Sequence, residues 1–171
     1  MKELELKLLI DEAIAGEIWA RAQAANLTEA RPRARQVKST YVDTPDHSLR
    51  DAGISLRLRR DGRQNLQTVK MKASLHGGLS NVTELETALP TAQLDLGAIP
   101  DEQVRERITD LVKGAAIKPA CVTVVKRSEG EVAHSSGTWA KLAVDAVEIT
   151  AGTHSATFHE LELERIDGSP A

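Results

Sequence analysis

Aromatic side chains are almost missing: two tryptophans, one tyrosine and one phenylalanine stand in 171 residues. The core therefore has to be aliphatic, built from Leu, Val, Ile and Ala. Recognition of single-stranded nucleic acid by base stacking is disfavoured. Cysteine occurs once, at Cys121, so the chain cannot close a disulfide on itself, which fits a reducing cytoplasm. Cys121 lies in an apolar run without charged neighbours and reads as a small core residue, not a reactive thiol. No apolar stretch approaches the roughly 18 residues of a membrane span, and the N-terminus lacks the apolar core of an export signal. A surplus of positive charge is absent too. The formal net charge is -3, which argues against a general nucleic-acid binder, because neutralising phosphates takes a basic surface.

What the chain does have is charge placed at a spacing of two. Glu3, Glu5 and Lys7 alternate with Leu4, Leu6 and Leu8, and Glu160, Glu162 and Glu164 alternate with Leu161 and Leu163. Successive side chains of a strand point to opposite faces, so each segment is a ribbon with one ionised and one leucine side. The pattern recurs with cations. Arg57 and Arg59 alternate with Leu56 and Leu58, Lys70 and Lys72 flank Met71, and Glu84 and Glu86 flank Leu85.

Strands are expected at residues 2–10, 36–42, 54–60, 65–73, 82–89 and 120–128. After a turn at Glu129-Gly130, further strand pieces follow at 131–134, 138–145, 147–150 and 157–165. Helices are expected at 11–26, with Asp11 as N-cap and Ile14, Ile18 and Ala22 on one face, and at 100–113, with Val104, Ile108, Leu111 and Val112 inward. His47 to Ala52 reads as a short helical turn and Ser74 to Ser80 as a mobile loop. Arg31 to Arg35, around Pro32, reads as a basic turn. Asp61-Gly62 is a hairpin signal. Hairpin-like joints imply an antiparallel sheet, and about eight strands can close into a small barrel. The expected class is α+β: an eight-stranded antiparallel closed β-barrel, a tunnel with a charged lumen, with helices packed outside over the leucine faces.

Carboxylates gathered in such a lumen need partners. Two of them about 4 Å apart repel by ~4 kcal/mol at an effective dielectric near 20. Glu3, Glu5, Glu160 and Glu162 meet if the first and last strands pair, and Asp145, between Val144 and Ala146, can join them. Hard oxygen donors without histidine or cysteine point to Mg2+ or Mn2+. Arg57, Arg59, Lys70, Lys72 and Arg127 on facing walls suit a chain of phosphates. The chemistry implied is attack of water on a terminal phosphoryl group. A Walker-type phosphate loop is absent, and the five histidines show no ligand spacing. Each ribbon alone is an ordinary solvated strand face; their joint occurrence on alternating strands is what raises the reading.

The ordered set resembles the CYTH superfamily, the triphosphate tunnel metalloenzymes. Glu3-Leu-Glu-Leu-Lys7 resembles its ExExK signature. Thr40-Tyr-Val-Asp-Thr-Pro-Asp46, Leu56-Arg-Leu-Arg59, Leu66-Gln-Thr-Val-Lys70, Glu84-Leu-Glu86, Val125-Lys-Arg127, Leu142-Ala-Val-Asp145 and Glu160-Leu-Glu-Leu-Glu164 follow in the family's order. The resemblance implies metal-side roles for Glu3, Glu5, Asp145, Glu160 and Glu162. It implies phosphate-side roles for Lys7, Arg57, Arg59, Lys70 and Arg127, with Lys72, Glu84 and Glu86 beside them, and a catalytic group of Glu5, Lys7 and Glu162. Met71-Lys72-Ala73 departs from the family, which often has small residues there, and leaves open which lysine grips phosphate.

The reading that follows is a cytoplasmic, Mg2+- or Mn2+-dependent hydrolase of inorganic tripolyphosphate, with no nucleic-acid or membrane partner. Residues 1–166 form the tunnel domain and residues 167–171 a tail or truncated linker. The Gly-Gly loop and the Glu-Leu-Glu-Leu-Glu ending look most like bacterial members that carry a C-terminal helical CHAD domain in a longer parent chain. Alternatives are a nucleoside or thiamine triphosphatase, a class IV-type adenylyl cyclase, and a polyphosphate-binding module without turnover.

Overall fold

The computed structural model describes residues 2–76, 79–134 and 137–166. The sequence from 167 on, expected as a tail, lies outside them. Eight strands and three helices follow one another: β1 (Lys2–Ile10), α1 (Glu12–Ala24), β2 (Arg33–Asp43), α2 (Ser48–Asp51), β3 (Ile54–Asp61), β4 (Gln64–His76), β5 (Leu79–Leu89), α3 (Glu102–Val112), β6 (Lys118–His134), β7 (Gly137–Ala151) and β8 (His154–Arg165). A 3-10 turn, Leu96–Ala98, precedes α3.

The strands hydrogen-bond in the order β1-β5-β4-β3-β2-β6-β7-β8, and β1 pairs antiparallel with both β5 and β8, so the sheet returns on itself as a closed barrel. Register shifts at Tyr41/Val42, Lys72/Ser74 and Val132/Ala133 bend the strands, as closure of so small a barrel demands.

Two apolar clusters cover the outside. Leu49 of α2 and Val104, Ile108 and Val112 of α3 pack with Ile99 on Val42, Ile54, Leu56 and Val69, the outward residues of β2, β3 and β4. Asp43 anchors this corner. Its buried carboxylate accepts hydrogen bonds from the backbone N–H groups of Thr44, Leu49 and Arg50. The α3 helix starts on an Asp101 side chain that accepts from Val104 N at 3.0 Å, and it ends at Lys113 and Gly114, both at positive φ. On the other side, Ile18, Trp19 and Ala22 of α1 pack with Leu27 on Val132, Ala140, Leu142, Leu161 and Leu163.

The structure corrects several expectations. Ser74–His76 and Leu79–Ser80 continue strands, because β4 and β5 pair as far as His76 with Leu79, where a mobile loop was expected. No turn forms at Glu129-Gly130: β6 runs through it, with Gly130 opposite Leu142 beneath the Trp19 ring. Residues 138–145 and 147–150, read as separate strands or one bent strand, belong to one strand, the second of those readings. Asp11 occupies the N-cap position of α1 without a side-chain hydrogen bond. Ile14 is 40% exposed, and β1 keeps Leu4 and Leu8 half in solvent, so the helices do not cover every leucine face. Cys121 is only partly buried, and burial pushes its thiol upward. Among the described residues, no helix is long and apolar enough to cross a membrane.

Candidate functional site

Strand parity decides what the barrel encloses. A cavity of about 480 Å³ is lined by inward residues of β1 to β8, among them Lys7, Arg57, Arg59, Lys70, Arg127 and Glu162. Its walls differ in chemistry because the strands do. Arg57, Arg59 and Lys70 stand on neighbouring β3 and β4. Val37 and Val125, in register on β2 and β6, make a neutral wall with Ser39 and Thr123. Acids cluster on β1, β7 and β8.

The acid cluster comes from cross-strand register. Lys7 lies opposite Glu162, Glu5 opposite Glu164, and Asp145 opposite both Glu160 and Arg127. Glu162 is the hub. Its carboxylate takes Lys7 Nζ at 3.1 Å and Arg127 Nη2 at 2.9 Å. Arg127 forks onto Asp145, Nε to Oδ1 at 2.9 Å and Nη2 to Oδ2 at 2.7 Å. Lys7 also approaches Glu5, at 3.8 Å.

Titration behaviour follows from these contacts. Burial works against the Glu162 carboxylate, but Lys7 and Arg127 outweigh it and hold its pKa below the ordinary value. Lys7 and Arg127 are raised for the reciprocal reason, their burial being outweighed by the acids. Glu160 behaves oppositely. Burial, then Asp145 and Glu162, push its pKa up against the opposing pull of Lys7 and Arg127. Burial is the largest of these causes, so the charged form of Glu160 is the one its surroundings disfavour.

The cationic wall is also partly neutralised. Glu84 pairs with Lys70 and lies 3.6 Å from Arg57 Nη2, and Glu86 accepts from Arg59 Nη2 at 2.6 Å. Tyr41 Oη accepts from Arg57 Nη1 at 3.4 Å. Even so, the Nε atoms of Arg57 and Arg59 are buried without a hydrogen-bond partner. An unmatched buried donor is costly, so both guanidinium groups are held at some expense to the fold.

Set against the sequence reading, Glu5, Lys7, Arg57, Arg59, Lys70, Glu84, Glu86, Arg127, Asp145, Glu160 and Glu162 all fall on inward positions of the barrel strands. Arg127 stands among the acids, not on the phosphate wall, because its register partner is Asp145. The side chains of Glu3 and Lys72 lie outside the described ones. Sequence reasoning missed Arg35, Tyr41, Glu129, Lys141 and Glu164 as lining residues. For Arg35 the signal was available: Arg35, Val37, Ser39 and Tyr41 share one parity.

The donor chemistry of Glu5, Asp145, Glu160 and Glu162 fits a hard divalent cation. Among the described residues, however, no three of these side chains already converge in a metal-holding arrangement, since Lys7 and Arg127 take their oxygens.

An antiparallel barrel with an ionised lining of both signs is the class of protein this fold and cavity define. The family model of the CYTH domain matches residues 1–170, and the chain belongs to that family. It is 26% identical, over 174 aligned positions, to an inorganic triphosphatase of Haemophilus influenzae, covering 99% of this chain and 46% of that one, so it spans about half the length of this curated relative. In fold it is similar to a Hippeastrum protein proposed as an adenylyl cyclase and found to have a dominant triphosphatase activity (18% identity, 95% and 79% of the two chains, TM-score 0.56). A mimivirus capping-enzyme triphosphatase shares the fold as well (10% identity, 99% and 83%, TM-score 0.56).

Proposed function

We propose that this chain is a divalent-metal-assisted triphosphatase that splits inorganic tripolyphosphate into diphosphate and phosphate. The observation that carries the reading is that the cationic side chains of Arg57, Arg59 and Lys70 line the same cavity as Glu162 of the carboxylate cluster on β1, β7 and β8. Phosphate oxygens answer those cations and take over from Glu84 and Glu86. Lys70 adds a point charge beside Arg57. Lys7 and Arg127 bridge the two walls and neutralise charge that builds on the reacting phosphoryl group.

Glu5, Glu160 and Glu162, with Asp145, would hold Mg2+ or Mn2+, which supplies charge neutralisation and a more acidic water when bound. Glu162 or Glu5 accepts the proton of the attacking water, and the bond from the terminal phosphorus to its bridging oxygen breaks as diphosphate leaves. Lys7 stays on Glu162 and keeps that carboxylate ionised and aimed. Tyr41, the one aromatic side chain on the described lining, turns its hydroxyl to Arg57, which favours an inorganic substrate over one with a base to stack.

A product panel tests this. Tripolyphosphate, ATP and thiamine triphosphate are incubated with Mg2+ or Mn2+, and phosphate, diphosphate and cyclic AMP are measured. Phosphate and diphosphate from tripolyphosphate are expected. Cyclic AMP would replace the reading by a cyclase, and binding without any product would replace it by a polyphosphate-binding module.

A further inference from the structure

Arg35 belongs to neither the acid cluster nor the Arg57–Lys70 group, yet it lines the same cavity. It sits near the start of β2 and holds two acids at once. Nη1 donates to Asp61 Oδ2 at 2.7 Å, and Nη2 donates to Glu129 Oε2 at 3.1 Å. Its Nε is 3.0 Å from the other Glu129 oxygen but lacks the geometry of a hydrogen bond, and it is buried without another acceptor.

The position of this group matters more than its strength. Asp61 lies two residues beyond Arg59 on β3, so the ladder Arg57, Arg59, Asp61 advances along one inward face by roughly 7 Å per step. The Asp61–Arg35 pair is the next rung for any linear anion gripped by Arg57 and Arg59. Arg57 and Arg59 of this ladder each carry a buried Nε without a hydrogen-bond partner, whereas Arg35 Nε is held in its ion pair with Glu129. Around Arg35 two carboxylates face one guanidinium. An anion that reaches this rung meets net repulsion unless Arg35 leaves them for it.

That exchange is easy. The side chains of Arg35, Asp61 and Glu129 are 26%, 35% and 25% exposed, and ion pairs in such partly wet settings contribute little. A forked arginine–phosphate contact is stronger. A neutral ribose or a cationic thiamine-type substituent at the same rung brings no negative charge to draw Arg35 away and leaves the two acids in place.

We propose that Arg35 is a specificity-determining residue that reads chain length. It binds phosphoryl groups beyond a triphosphate and so favours longer unsubstituted inorganic chains over shorter or substituted ones. This inference rests on the reading of the cavity as a phosphate-chain site.

The test compares tripolyphosphate with pentapolyphosphate on the wild-type chain, Arg35→Gln, Arg35→Lys and the Asp61→Asn/Glu129→Gln pair. KM and kcat are measured with Mg2+, and Kd by titration calorimetry without metal. Arg35→Gln is expected to raise KM and Kd for the longer chain about tenfold more than for the three-phosphate chain. The kcat on the longer chain should change far less than its KM. Arg35→Lys should recover part of the loss, and the double variant should tighten the longer chain relative to the shorter. Equal shifts for both lengths, or none, overturn the proposal. If the wild type binds both chains but hydrolyses neither, the hydrolase reading fails while the Kd ratio still judges Arg35. If it binds neither, both fall. Should Arg35→Gln fail to fold, the lysine and double variants carry the comparison.

Discussion

Replacing Glu162 by glutamine removes one negative charge and almost no volume, which makes it the sharpest probe of the acid cluster. The wild-type carboxylate is 11% exposed and accepts from two cations, at 3.1 and 2.9 Å. Removing one partner of a buried ion pair costs about 3–5 kcal/mol. Here the cost is smaller, because Arg127 keeps its fork on Asp145 and Lys7 is 41% exposed with Glu5 nearby. About 2 kcal/mol is expected, a fall in Tm of roughly 4–8 °C for a domain of this size. Turnover should fall much further, by about a hundredfold or more, if the same oxygens serve metal and proton transfer as proposed. The pH dependence separates the two effects. A carboxylate with a depressed folded-state pKa stabilises above its unfolded value and loses that contribution as pH falls through the folded one. Melting curves of wild type and Glu162→Gln should therefore differ at neutral pH and converge in acid. A Tm gap that persists in acid would refute the ion-pair account. Undiminished phosphate release from tripolyphosphate would remove Glu162 from the chemistry.

Arg57→Ala deletes the whole guanidinium and leaves Glu84 with Lys70 as its cation; KM for tripolyphosphate should rise about tenfold, and an unaltered KM and rate would contradict its role. Asp43→Asn keeps the shape but weakens three hydrogen bonds to the backbone at the start of α2. A loss of about 1–2 kcal/mol in urea unfolding is expected, with tripolyphosphate KM unchanged, because Asp43 lies off the cavity lining. Gly130→Ala brings a Cβ within 3.0 Å of the Trp19 ring, so Tm should drop by about 2–4 °C with a shift in tryptophan fluorescence. A Tm equal to or above wild type would mean that α1 yields freely.

How much of this was legible in the sequence depends on which geometric quantity is asked for. Parity was legible. Glu5 and Lys7, Arg57 and Arg59, Glu160 and Glu162 each share one side of a strand by spacing alone, and the structure keeps them there because the register shifts fall at residues 41/42, 72/74 and 132/133, outside those charged pairs. A single slip inside any of them would have turned its charges outward. Register between strands was not legible. Nothing in Arg127 or Asp145 says that they stand opposite each other; that follows from the length of the β6–β7 hairpin and from the shear of the barrel. Arg127 was read as a phosphate-side group; it lines the cavity, and its cross-strand partner, which spacing could not name, also makes it a counter-ion of the acids. Arg35 was lost for a related reason. Pro32 and its flanking arginines read as a turn, and the pairing of β2 with β6, which carries the strand back to Arg33 opposite Glu129, is a long-range fact. Residues whose role is set by their own strand can be read from spacing, whereas residues whose role is set by the neighbouring strand need the closed sheet. The partly neutralised cations of this tunnel are of the second kind. Their partners, Glu84, Glu86, Asp145 and Glu129, are acids of other strands that neutralise a crowded interior, and no spacing within one strand could have named them.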